Sequence, residues 1–283
     1  MRILLTGSAG FIGQRLKDTL VNHHAVTGFD LEYGDDLRDY QKVDKALETG
    51  NYDTVIHCAA LTGVRRGELY PREYMETNVW ATKHLVEASF KHGIRHFVFF
   101  SSSSVYGADT KEPVVEDGEK HPLSVYGMTK LMGEHLVERS GLEYTIIRPF
   151  TVYGEHGRPD QVIMKWINQS KTNNAITLYG DGSSARGYTY VGDLVDAVKK
   201  VIENKITGTF NLGGDTLVRL KQLRKIFEEV LPDITMHIYG IQPGDPKYSI
   251  ANTEKAQKTI GWKPKTKFSK KVKEIIEDAI QTK

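Results

Sequence analysis

The apolar run Ile3-Leu4-Leu5 stops at Thr6 and passes directly into Gly7-Ser8-Ala9-Gly10-Phe11-Ile12-Gly13. This reads as a strand, a glycine-rich turn and the start of a helix. Gly7 lets the chain turn tightly, Gly10 lets the backbone approach a pyrophosphate, and Gly13 lets the helix pack on the strand. The first helical residues, Phe11, Ile12 and Gly13, then offer free N–H groups and the positive dipole end to phosphate. A chain that begins this way is expected to grip a dinucleotide at its first strand-to-helix turn.

Asp30 ends the next apolar segment, Ala25-Val26-Thr27-Gly28-Phe29, 17 residues after Gly13. That is close to the spacing at which an acid binds the adenosine ribose hydroxyls. A carboxylate there repels a 2′-phosphate, so NAD is expected over NADP. The competing reading is an ordinary strand-end Asp in a turn. Asp36 and Leu37 would border the adenine in the same scheme, although Asp-rich turns are common for local reasons.

Short buried strands are expected at 2–6, 25–29, 53–58, 95–101 and 143–148, with helices near 11–21, 39–49, 72–92 and 125–140. Strands alternating with helices imply an α/β fold, a doubly wound parallel sheet of the Rossmann type with helices on both faces. The pattern changes after about residue 155. Helices are expected near 160–171, 193–203, 219–230 and 268–281, separated by isolated strands near 175–179, 187–191, 208–212 and 235–239. This divides the chain into residues 1–155, with returning segments, and a smaller C-terminal α/β lobe, 156–283. Trp80 and Trp166 fall in helical patterns and are expected to pack inside.

Composition narrows the function classes. With 38 basic and 36 acidic residues in 283, the net charge is +2, and no overall field draws nucleic acid or an anionic membrane. No apolar run approaches a membrane span, and Thr6-Gly7 cuts the first hydrophobic stretch short of a signal peptide. The single cysteine, Cys58, reads as a buried strand end and fits a reducing, cytoplasmic setting. The ten histidines lack metal-ligand spacing, so no metal site is expected.

Tyr126-Gly127-Met128-Thr129-Lys130 opens a helical segment after Pro122. Residues four apart share a helix face, so Tyr126 and Lys130 can point into one site. Of the 14 tyrosines, only Tyr126 has a lysine four residues on. A free Tyr is a poor base at neutral pH. A neighbouring ammonium and a positively charged nicotinamide favour its phenolate and fit it to take a proton from a sugar hydroxyl. Upstream, Phe99-Phe100 leads into Ser101-Ser102-Ser103-Ser104, which releases hydroxyls at the carboxyl edge of the expected sheet, where doubly wound folds bind ligands.

Together these residues resemble the extended short-chain dehydrogenases/reductases that act on nucleotide sugars, and the resemblance covers nearly the whole chain. It rests on the turn Thr6 to Gly13, Cys58-Ala59-Ala60, Asn78, Ser102 through Gly107 and the Tyr126/Lys130 pair. It extends through Arg148-Pro149-Phe150-Thr151-Val152-Tyr153-Gly154, the segment Gly182 to Leu194 and Gly261-Trp262-Lys263-Pro264. The run from Phe150 to Gly154, followed by Gly157-Arg158-Pro159-Asp160, is similar to UDP-glucuronate 4-epimerases.

The resemblance implies that Ser102 hydrogen-bonds the reacting hydroxyl, Tyr126 is the acid/base, and Lys130 holds the nicotinamide ribose and lowers the Tyr126 pKa. It adds Ala59, Ala60 and Asn78 to the cofactor contacts. Ser103, Ser104 and Thr151 would hold a sugar carboxylate, and Arg186 the diphosphate. The N-terminal part would carry NAD, the C-terminal lobe a nucleotide sugar that is UDP-linked. Helices 72–92 and 125–140 would pair in a homodimer. The activity implied is an NAD-dependent 4-epimerase. A 4-keto-6-deoxy-sugar reductase, a dehydratase and a non-catalytic NAD-binding scaffold are the alternatives. Two departures stand out. Gln242-Pro243-Gly244-Asp245 replaces a customary Arg-Pro-Gly-Asp, and a neutral amide cannot make a bidentate charged contact. Ala251-Asn252-Thr253 has Asn in place of the usual Asp.

Overall fold

Residues of β1 (Arg2–Thr6) alternate between two cores: Ile3 and Leu5 face one, Leu4 the other. The computed structural model describes residues 1–107, 113–240 and 247–281. After β1 come α1 (Phe11–Leu20), β2 (Ala25–Phe29), α2 (Tyr40–Gly50), β3 (Thr54–His57), α3 (Val64–Leu69), α4 (Pro71–Met75), α5 (Ala81–Lys91), β4 (His96–Phe100), α6 (Val125–Glu138) and β5 (Tyr144–Pro149). A π-helical turn, Glu76–Trp80, joins α4 to α5.

The second part of the chain runs β6 (Val152–Tyr153), α7 (Val162–Asn173), β7 (Ala175–Tyr179), β8 (Ala185–Gly187), β9 (Thr189–Tyr190), α8 (Val191–Glu203), β10 (Gly208–Leu212), β11 (Leu217–Arg219), α9 (Leu220–Val230), β12 (Thr235–Tyr239), β13 (Tyr248–Ser249), α10 (Glu254–Ile260) and α11 (Phe268–Gln281). Residues of this part form a further core cluster, in which Trp166 sits edge-on to Phe227 at 5.3 Å.

In β4, Phe97 and Phe99 pack under α5 and α6, while Val98 and Phe100 join the opposite core. A strand with apolar residues on both faces is one buried between helix layers. The strand order β2-β1-β3-β4-β5-β10 is parallel throughout, and it reverses direction between β1 and β3. This is the doubly wound arrangement expected from the sequence.

Several expectations need correction. Residues 208–212 form no isolated strand: β10 closes the main sheet beside β5, with Phe210 and Leu212 in its core. Period-two patterning reports burial, not the partner strand. The strand expected at 187–191 is two short ones, because α8 already begins at Val191. The short elements α3, α10, β6, β11 and β13 lack the length for a periodic signal. Trp80 lies in the π turn and is 54% exposed, so it is no part of the interior, whereas Trp166 is fully buried.

A buried polar network crosses the sheet beneath the serine loop. Arg148 Nε and Nη2 donate to Glu134 at 2.8 and 2.7 Å, with both side chains at most 2% exposed. Arg148 Nη1 donates to the Tyr106 hydroxyl at 2.6 Å, and Tyr106 donates to Asn211 at 2.7 Å. Ser101 donates to Glu134 at 2.5 Å. Thus α6, β4, β5 and β10 share one set of hydrogen bonds. Removing one partner leaves the other charge buried and bare. Glu134→Ala is expected to lose about 3–5 kcal/mol in urea unfolding, and the double change Glu134→Leu/Arg148→Met much less. Equal losses for single and double variants would contradict this.

Candidate active site

The reversal of strand order places the turn after β1 against the segment after β3. Gly7, at φ +69°, packs on Ala59 so closely that a side chain there would strike the Cys58–Ala59 backbone. A Cβ at Gly13 would collide with the Gly7 carbonyl. Gly10 differs. Its Cβ would meet only the Gly7 oxygen, at 3.3 Å, and it borders the open cavity. The turn therefore demands glycine for packing at positions 7 and 13, whereas position 10 is left open toward the cavity. Gly10 N-caps α1 without a side-chain hydrogen bond, so the first-turn N–H groups face a cradle that a pyrophosphate would fill.

Asp30 fulfils the turn reading and stands beside the glycine turn. Its Oδ2 accepts the Ala9 N–H of the glycine turn at 2.9 Å, and its Oδ1 accepts the Glu32 N–H at 3.0 Å, capping the turn at Leu31–Tyr33. The remaining lone pairs of an oriented carboxylate suit ribose hydroxyls. Asp36 is bidentate to Arg38, whose guanidinium holds its carboxyl below the usual range. Leu37 is buried, and its carbonyl pairs with the His84 ring at 3.2 Å.

Ala60 lines the cavity. Asn78, in the π turn, is bonded wholly within the protein. It accepts the Leu61 N–H at 2.7 Å and donates to the Leu61 carbonyl (2.9 Å) and Thr129 (3.1 Å). It pins the segment after β3 to α6. His57 is likewise structural, bonded to Thr6 and Thr82, with burial holding its pKa down at about 3. Burial drives the Cys58 thiol far above its ordinary range, which makes it a poor nucleophile. Among the described residues no cluster of metal ligands forms.

The reactive groups meet at the mouth of the sheet, in a cavity of about 530 Å³. Ser102, Ser103, Ser104, Tyr126, Lys130, Thr151 and Arg186 all line it, together with Gly7, Gly10, Phe11, Ile12 and Gly13. Ser124 caps α6 by accepting the Gly127 N–H at 3.0 Å, and this fixes the turn that carries Tyr126. The Ser102 hydroxyl donates to Ser104 Oγ at 3.1 Å, accepts the Ser104 N–H at 3.1 Å, and lies beside the Tyr126 phenol.

Burial raises the Tyr126 phenol above its ordinary pKa; the Ser102 hydrogen bond and the positive charge of Arg158 pull it back. Within the protein, then, the cationic pull on the phenol comes from Arg158. In the sequence Arg158 stands out only as part of a family-like run. In the fold it is ion-paired with Asp160 at 2.6 Å and lines the same cavity. An arginine in a loop carries no periodic signal that would assign it to a site. Tyr74, edge-on to Tyr126 at 6.4 Å, is a second neighbour that sequence reasoning misses. It donates to the Thr62 and Gly63 carbonyls.

Lys130 is 3% exposed, with Nζ 4.4 Å above the Phe99 ring and no hydrogen-bond acceptor among the described residues. A buried ammonium facing the cavity without an acceptor is the group that a cofactor ribose would satisfy. Thr151 has φ +25°, strained for a β-branched residue. Gln242 lies outside the described residues.

Burial lowers the Lys130 pKa from 10.5 to about 8. Below pH 8 both folded and unfolded chains hold this proton, and the folded state bears the full cost of the buried charge. Between about 8 and 10.5 the folded lysine is neutral while the unfolded one is charged, so stability rises with pH. In cofactor-stripped protein, Lys130→Met is expected to be more stable than wild type at pH 7 by a few kcal/mol, because each tenfold change in proton affinity is worth roughly 1.36 kcal/mol. The gap should close by about pH 10 in urea titrations. A gap that stays constant with pH would contradict the buried, unpaired ammonium.

Residues 3–213 match the NAD dependent epimerase/dehydratase family. The UDP-glucuronate 4-epimerase of Thermodesulfobacterium geofontis is 30% identical, over 96% of this chain and 94% of its own length. The crystal structure of UDP-glucuronic acid 4-epimerase from Bacillus cereus, in complex with UDP-glucuronic acid and NAD, is 31% identical with a TM-score of 0.90, covering 99% of both chains. The UDP-glucose 4-epimerase of Thermotoga maritima, with UDP-glucose, gives a TM-score of 0.93 at 29% identity, covering 100% of this chain and 99% of that one. The matched span contains both the glycine turn and the Ser102–Tyr126–Lys130 group, and this chain belongs to the NAD dependent epimerase/dehydratase family.

Proposed function

We propose that this protein is an NAD-dependent 4-epimerase of UDP-linked hexoses, with a preference for the uronate. The observation that carries the reading is the convergence of Ser102, Tyr126 and Lys130 with the glycine turn in one cavity. In this reading residues 1–155, with returning β10, hold NAD, and residues 156–283 hold the nucleotide sugar. The donors of the turn after β1, Asp30 and Lys130 fit the cofactor as described above.

Bound NAD supplies the acceptor and donor for the hydride at C4. Tyr126 takes the C4 hydroxyl proton, and Ser102 holds that oxygen in place as charge develops. Arg158 favours the phenolate once it forms, partly offsetting the burial that raises its pKa. Tyr126 then returns the proton after the sugar has turned its other face, so no net redox change occurs.

Ser103, Ser104 and Thr151 form the hydroxyl cradle for the sugar carboxylate, which only accepts hydrogen bonds. The strained backbone at Thr151 supports this assignment. Asn tolerates that conformation better than Thr, so a threonine there points to a need for its hydroxyl.

Tyr126→Phe is expected to keep the fold and cofactor binding and to lose about 10²–10⁴ in turnover. In matched assays without added cofactor, followed by NMR of the anomeric protons, UDP-glucuronate should epimerise faster than UDP-glucose. Faster conversion of UDP-glucose contradicts the carboxylate cradle. No epimer from either, with reduction of a 4-keto-6-deoxy sugar by NADH, contradicts the epimerase reading.

The same reading makes the protein a homodimer. Trp80, Phe90, Met128 and Met132 are 54, 62, 46 and 41% exposed on the α5/α6 face, beside a groove lined by Val79, Val86 and Leu136. A C₂ pairing would bury this patch against its own copy. No described helix is long and apolar enough to cross a membrane, and a thiol as inert as that of Cys58 suits a cytoplasmic setting. Light scattering should return a mass near twice 31.9 kDa at micromolar concentration, and a monomer mass would contradict the pairing.

A further inference from the structure

The catalytic cavity continues into a second one of about 530 Å³, and Arg186, Thr151, Val152 and Gln161 line both. The charges of this second cavity are unbalanced. Asp160 is ion-paired with Arg158, and Asp181 accepts the Ser183 N–H at 2.9 Å. The cations Arg65, Lys165, Arg186 and Lys247 have no carboxylate within ion-pairing distance among the described residues. Arg186 uses one nitrogen on the Ala185 and Lys247 carbonyls. Lys165 reaches the Tyr179 hydroxyl at 3.4 Å.

Arg65 is the unexpected member. Among the described residues it is the only one before position 151 that lines this cavity, and it arrives on α3 from the cofactor-holding half. Its guanidinium rests over the Tyr179 ring at 5.6 Å from the centroid. A ring contact orients the planar fork without using its N–H donors.

We infer that Arg65 binds the diphosphate of the nucleotide sugar together with Arg186, so that the phosphates bridge the two halves of the molecule. The inference rests on the nucleotide-sugar reading above. Of the anionic groups in such a substrate, the sugar carboxylate belongs at the serine loop and Thr151, in the first cavity. Arg65 does not line that cavity, so the diphosphate is the anion within its reach.

The test is calorimetric binding of UDP to the NAD-loaded protein at low and high ionic strength, for wild type, Arg65→Gln and Arg65→Lys. Arg65 is exposed and in no ion pair among the described residues, so melting temperature and NAD retention should not change. Arg65→Gln should weaken UDP about 10–100-fold, the size of a lost charge-assisted contact. Its salt dependence should be shallower than that of wild type, and Arg65→Lys, which keeps the charge but not the planar fork, should recover part of the affinity. Affinity within about twofold of wild type overturns the inference. So does a loss with unchanged salt dependence, which would mark Arg65 as packing on Tyr179. A wild-type protein that does not bind UDP overturns the nucleotide-sugar reading itself, which separates the two failures.

Discussion

The ion pair of Arg148 and Glu134 lies under the Ser102, Tyr126 and Lys130 group and ties its supports together. Glu134 stands one helical turn after Lys130, and it accepts from Ser101, the neighbour of Ser102. Arg148 lies near the end of β5, just before Phe150 and Thr151. Both charges are out of water, so each is tolerable only while the other and the surrounding hydroxyls hold their geometry. The pair therefore acts less as a source of stability than as a constraint. It permits one relative placement of α6, the serine loop and the strand that leads to Thr151, and the cavity is defined by that placement.

A second constraint is topological. Strand order reverses between β1 and β3, and the two turns that leave them are forced together. Gly7 against Ala59 is the contact point, and Asn78 fixes the far end of the same segment through Leu61. The dinucleotide cradle, the serine loop and the Tyr126 helix thus open on the same edge of the sheet. Residues after β5 complete the cavity, supplying Arg158, Gln161 and Arg186.

Much of this is legible in the sequence because its signals are local. The unbroken apolar runs Ile3 to Leu5 and Phe97 to Phe100 mark strands buried on both faces, and the Gly7–Gly10–Gly13 spacing marks the turn. The i, i+4 spacing of Tyr126 and Lys130 marks a shared helix face. What is not legible depends on contacts distant in sequence. Residues 208–212 look like any short strand until β5 is beside them. Trp80 looks like core until the π turn directs it outward. Arg158 and Arg65 sit in a loop and a short helix, where no period reports direction. Spacing alone assigns the acidity of Tyr126 to Lys130, whereas folding brings Arg158 to the phenol and sets the Lys130 ammonium over Phe99.

The central claim is that one site removes and returns the same hydride, with Tyr126 handling only the proton. Epimerisation of UDP-glucuronate deuterated at C4, in the presence of unlabelled NADH in solution, tests it most directly. The account predicts that the product keeps the deuterium at C4, because the cofactor and the sugar stay in the cavity through the cycle. Loss of the label to solvent or its appearance in free NADH would contradict it.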